Sequence, residues 1–228
     1  MHEMTTCWDL LAGAAAGERN EEEAFCVRYR PLIANFLGRR WRGRLAAQDI
    51  EDAVQETLME CVKEGGVLAR VDEGSTRSFR AFLFGVTTNV ARRFEERAQR
   101  AGRLKAEPLP PSKLAPADVV DPQEAFDRAW AAGVLGQARR LLEERARGAD
   151  GSLLRRCELL DLRFGEGLPI RTIAARWGVS ADNLHREYAK ARGEFKDALE
   201  ETLRFENQSA PLDLDAELRD LLVLSGSH

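Results

Sequence analysis

Apolar residues recur along this chain at three- and four-residue spacing and almost nowhere at alternate positions. Ile50, Ala53, Val54, Thr57, Leu58, Cys61 and Val62 form one such stripe, the period that turns one face of an α-helix towards a core. Gly65-Gly66 ends it. A polar loop from Leu68 to Ser78 leads to a second stripe, Phe79, Phe82, Leu83, Val86, Val90 and Phe94. Ahead of both, Phe25 to Arg44 predicts a helix whose end frays in RRWRGR. Further on, Gln123 to Arg147 predicts a helix that Gly133 and Gly136 interrupt only mildly. A Gly-Ala-Asp-Gly turn at 148–151 and a short helix from Leu153 to Phe164 follow. No strand pattern of useful length occurs, so the expected fold class is all-α.

One stretch stands apart. Between Leu104 and Pro122 the chain carries five prolines and no helical stripe. Proline removes backbone donors and blocks helix continuation, which predicts an extended linker. The organisation expected is an N-terminal extension over 1–19, a helical domain over 20–103, a linker over 104–122, a second helical domain over 123–204 and an acidic amphipathic extension over 205–228. In the last, Leu214, Leu218, Leu221 and Leu222 share one face.

The sharpest local signal lies in the second half. Ile170, Ile173, Ala174 and Trp177 mark a short helix, closed by Gly178 where left-handed backbone is needed. Ser180 is placed to cap the next helix, in which Leu184, Tyr188, Ala191, Phe195 and Leu199 face a core. Helix, glycine turn and capped helix make a helix-turn-helix, whose second helix enters the major groove of DNA. The exposed candidates for base and phosphate contact are Asn183, His185, Arg186 and Lys190, flanked by Arg171 and Arg176. Arginine reads guanine, asparagine reads adenine, and lysine supplies charge to phosphates. The bland counterpart is a helical hairpin with a solvated charged face. The acids Asp182, Glu187, Glu194 and Asp197 lie among the bases, so this half alone is expected to hold DNA weakly.

Charge separates the two central helices of the first half. The outer face of 48–63 carries Asp49, Glu51, Asp52, Gln55, Glu56 and Glu60, which suits docking to a basic partner or else a merely solvated surface. From Arg77 to Lys105 there are eight bases against the acids Glu95 and Glu96, with aromatic residues in the same element. That combination suits phosphate contact with stacking of bases. Overall composition changes this picture little. A net charge of −4 is no bar to local basic surfaces. Four cysteines, far apart and without a CxxC pair, argue against a zinc site or a disulfide framework; Cys61 and Cys157 fall on apolar stripes as small core filler. No apolar run approaches a bilayer span and the N-terminus has no basic n-region, so no membrane association and a cytoplasmic location are expected. No phosphate-binding loop, catalytic triad or metal cluster is visible, so neither enzymatic activity nor a cofactor is expected.

The segments DIEDAVQETLMECV and FRAFLFGVTTNVARRFEERAQR resemble conserved region two of the sigma-70 family of RNA polymerase sigma factors, and the helix-turn-helix half resembles region four. With two such domains and a linker, the chain resembles the extracytoplasmic-function (ECF) group over about residues 20–204. The resemblance implies that Asp49, Glu51, Asp52, Gln55 and Glu56 dock on the clamp coiled coil in the largest subunit of core RNA polymerase. It implies that Arg80, Asn89, Arg92, Arg93 and Arg97, with the loop before them, capture the melted −10 element of promoter DNA. The region-four residues named above would read the −35 element, and an anti-sigma factor is a possible further partner. Three positions depart from the family: Glu187 stands where a base is usual, and His185-Arg186 replaces the commoner Lys-Ser or Arg-Ser. A helix-turn-helix regulator that works without polymerase explains the second half alone. A sigma-like adaptor without initiation activity also stays open, on the strength of that unusual recognition helix.

Overall fold

The computed structural model describes residues 7–71, 79–102, 121–148 and 151–206. Its regular elements among these residues are helical: α1 (Cys7–Ala15), α2 (Arg19–Arg40), α3 (Ala47–Val62), a 3-10 turn (Leu68–Arg70), α4 (Phe79–Arg100), α5 (Pro122–Arg147), α6 (Gly151–Leu160), a π-helical turn (Asp161–Gly165), α7 (Ile170–Trp177) and α8 (Ala181–Glu206). The fold is all-α. Most of the linker, the loop at 72–78 and the stripe from Leu214 to Leu222 lie outside the described residues.

Two compact units divide the chain, one of residues up to Gly133 together with those from Phe205, the other of Val134–Arg204. The sequence places its boundary in the proline-rich stretch; in the structure the first turns of α5 belong to the first unit. The reason is aromatic. Phe126 is fully buried with its ring 5.3 Å from Phe36 and 5.2 Å from Phe84. Trp130 lies 6.0 Å from Tyr29 and 6.4 Å from Phe79. Such pairs add to the apolar area they bury, and prolines upstream do nothing to weaken them.

In this first unit α2 packs on α1 and α3, and α3 packs on α4. Phe25, Tyr29, Leu32, Ile33, Phe36 and Leu37 supply the buried face of α2, while Pro31 sits on its exposed side and interrupts only one ladder bond. The stripe on α4 is rotated slightly from expectation. Thr87 and Ala91 are fully buried, while Phe82, Val86 and Phe94 are half-buried; the Thr87 hydroxyl is accommodated because it donates to the Leu83 carbonyl at 2.7 Å.

Of the segment read as an N-terminal extension, Cys7–Ala15 form a helix that belongs to the core. Cys7, Leu10, Leu11 and Ala14 of α1 are buried, and burial lifts the Cys7 thiol to about 12. Cys61 is likewise buried and raised to about 12 by burial, so neither offers a reactive thiolate. Cys157 is only half-buried. From the far end of the chain, Glu206 joins this core with its side chain 2% exposed. Arg28 Nε donates to Glu206 at 2.7 Å and the Tyr29 hydroxyl donates at 3.1 Å. Phe205 lies under the Arg28 guanidinium at 4.0 Å.

The second unit packs Leu159, Leu162, Ile170, Ile173, Ala174 and Leu184 into one core, with Leu168, Trp177, Val179, Ala181 and Tyr188 around it. Ion pairs from Arg139 to Asp161 (2.6 Å) and from Arg145 to Glu201 tie α5 to the π-helical turn and to α8.

Candidate nucleic-acid and partner interfaces

The helix-turn-helix forms as its residues dictate. Gly178 takes φ +65°, and the Val179 N–H closes back on the Ala174 carbonyl at 3.1 Å, ending α7. Ser180 Oγ accepts from the Asn183 N–H at 3.3 Å and its carbonyl from the Leu184 N–H at 3.1 Å, starting α8. An added Cβ at Gly178 would meet nothing within 4 Å, so the cost of a side chain there is backbone strain alone. Gly178→Ala is expected to lower stability by about 1–2 kcal/mol in chemical denaturation, and Gly178→Asn by less, since asparagine tolerates this conformation.

Asn183, His185 and Arg186 are exposed on α8, as are Arg171 and Arg176 on α7. Arg176 is 3.9 Å from Glu166, a pair worth little in water. Lys190 is also exposed and donates to Glu187 Oε1 at 2.9 Å. That contact, then one from Arg156, holds the Glu187 carboxyl below the usual range, so it stays charged. Arg156, which the sequence reading did not single out, reaches from α6 to both Glu187 and Glu194. Linear spacing could not reveal it, because the partners are 31 and 38 residues away. Arg155 beside it lies over the Trp177 ring at 4.9 Å. The expected binding residues of this half are thus all exposed, Arg171 and Arg176 on α7 and the other four on α8.

In the first unit the acidic and basic faces meet each other. Glu56 accepts from Arg97 at 2.8 Å and lies 3.3 Å from Arg93, while Glu60 takes Arg93 at 3.1 Å and Lys63 at 3.0 Å. Glu51 pairs with Arg30 of α2. The acids of α3 therefore do have balancing bases: α3 and α4 run antiparallel, and their facing edges bring residues of opposite charge together. Asp52, which accepts from Gln48, and Gln55 are exposed on α3, as are Glu51 and Met59. Asp49 is half-buried and accepts from the Ala46 N–H at 3.3 Å at the start of the helix.

Among the residues expected to contact single-stranded DNA, Asn89 is exposed and Arg92 is 70% exposed, with only a loose contact to Glu96. Arg97 also covers the Phe94 ring at 4.2 Å. Arg80 is 3.4 Å from Asp127 at the start of α5. Arg77, Arg103 and Lys105 fall outside the described residues. Asn89 and Arg92 are thus presented to solvent, and Arg80, Arg93 and Arg97 are held by acids of the same unit.

Glu95, by contrast, works inward. Burial would raise its carboxyl, but donation from Arg40 (2.8 Å) and from the Trp41 indole (2.8 Å) outweighs this and holds it below its ordinary 4.5. A depressed acid stabilises the fold above its unfolded value and loses that contribution as pH falls through the folded value. Glu95→Gln should therefore be less stable than wild type at neutral pH, and the gap should narrow below about pH 4.5 when melting is followed against pH.

Among the described residues no three His, Cys, Asp or Glu side chains are grouped to hold a metal ion, and no helix is long and apolar enough to cross a membrane. No protein-family model and no curated protein matches the chain.

Proposed function

We propose that this chain is an alternative sigma factor of the extracytoplasmic-function kind, which binds core RNA polymerase in the cytoplasm and directs promoter recognition, melting and initiation. The observation that carries the reading is the helix-turn-helix: its glycine turn, cap and core leave Asn183, Arg186 and Lys190 exposed along one face of α8, and His185 exposed as well. A second helical unit with an acidic α3 beside a basic, aromatic α4 is what a polymerase-dependent reader needs and a free-standing regulator does not. Each DNA contact is modest alone. Core polymerase would hold both at once, and the second contact then forms at high effective concentration. Melting needs no catalytic group, because binding energy gained on unstacked bases shifts the duplex equilibrium.

One observation favours the adaptor reading. Arg80, Arg93 and Arg97 are all held by acids of their own unit, which lowers their availability to DNA. Run-off transcription with purified core polymerase on fragmented genomic DNA decides between them. Discrete new start sites that depend on this protein are expected. A stable complex with core and no new starts would establish the adaptor, and no complex at all would overturn the proposal.

A further inference from the structure

Asn183, Arg186, Glu187 and Lys190 recur at three- and four-residue spacing and so share one face of α8. Glu187 is the acid of that face, at its edge towards the buried Leu184. An uncompensated carboxylate there would meet phosphate charge, which opposes binding. Its surroundings remove that penalty without hiding the group. Arg156 donates Nε to Glu194 Oε2 at 2.8 Å and lies with Nη2 2.7 Å from Glu194 Oε1, so its charge is matched by Glu194 alone. The remaining Nη1 is 3.2 Å from Glu187 Oε2. Lys190 takes the other oxygen at 2.9 Å. Two acids and two bases sum to zero.

Neutralisation does not use up the acceptor. Each carboxylate oxygen has two lone-pair sites, and each Glu187 oxygen has one donor from this set. The side chain remains 32% exposed. It borders an open cleft of about 220 Å³ that Asn183, Trp177 and Arg155 also line, so an incoming donor has room to approach. Arg156, 15% exposed and anchored twice on Glu194, borders the same cleft and fixes the carboxylate there; Lys190, 63% exposed, keeps its charge beside Glu187.

On the basis of the helix-turn-helix function proposed above, we infer that Glu187 is a specificity-determining residue whose carboxylate accepts from the exocyclic amino group of cytosine in the major groove, with Arg156 as its positioning residue. A carboxylate pairs with the cytosine N4 amino group, as arginine does with guanine and asparagine with adenine. The departure from a base at this position then changes what is read rather than weakening the reading.

The test is selection of duplexes randomised across the upstream element by holoenzyme assembled from the full chain and core polymerase. Wild type should enrich cytosine at one position. Glu187→Gln should reduce that preference roughly tenfold and shift it towards adenine, which a carboxamide reads, with the other positions unchanged. Arg156→Gln should relax the same position while circular dichroism reports a folded protein. If Glu187→Gln selects the same cytosine as wild type, Glu187 is only a compensated charge and this inference is overturned while the sigma function stands. If wild-type holoenzyme forms but enriches no sequence, the promoter-reading function falls and this inference with it.

Discussion

Replacing Phe126 by alanine is expected to lower stability by about 3–5 kcal/mol, the range for removing a fully buried aromatic ring. Phe126 is 0% exposed and its ring meets Phe36, Phe84 and Trp130. None of the three can fill the gap without leaving another contact, so a cavity persists between α2, α4 and α5. Chemical denaturation followed by tryptophan fluorescence measures the loss, and amide exchange should rise in α2 and α4 together. Phe164→Ala is the comparison: that ring is 67% exposed, and its removal should fall within about 0.5 kcal/mol of wild type. Equal, small effects at both positions would mean that the start of α5 does not belong to the first core.

The second large effect concerns partner binding. On the function proposed above, changing Asp49 and Asp52 together to lysine should weaken the complex with core RNA polymerase at least about 100-fold, because like charges set against a basic docking surface cost several kcal/mol. Asp52 is exposed and spends its hydrogen bond on Gln48, so its carboxylate is available at little cost. Asp49 also accepts from the Ala46 N–H, and losing that costs the helix about 1 kcal/mol, too little to unfold the unit. Glu56→Gln provides the contrast. Its carboxylate is already engaged by Arg93 and Arg97, so its removal should weaken the complex far less. Co-elution with purified core, measured at two salt concentrations, checks both variants. A double variant that still binds as wild type places the docking surface elsewhere.

How much of this was legible in the sequence depends on whether the information was local. Gly178, Ser180 and Leu184 could be assigned a turn, a cap and a core position from neighbours within a few residues, and each takes that place. The stripe on α3 was legible for the same reason. Periodicity tells which face of a helix is buried and is silent on what covers it. So Phe126 and Trp130 could be read as helical positions without revealing that their ring partners lie on α2 and α4. Charge reading failed in a related way. The acids of α3 and the bases of α4 look like two surfaces offered to two partners, until antiparallel packing sets Glu56 against Arg97 and Glu60 against Arg93. Arg156 was missed because its significance rests on carboxylates that only the fold brings near.

The burial of Glu206 bears on how the protein can be shortened. A cut after Arg204 looks safe from the sequence, since it keeps the whole recognition helix pattern and sheds an acidic tail. It would also take away the carboxylate that Arg28 and Tyr29 share and the Phe205 ring beneath the guanidinium. The damage would then appear in the half of the chain left intact, through α1 and α2, and would be mistaken for an intrinsic weakness of that half. A trimmed form meant to test the polymerase-docking surface has to retain residue 206.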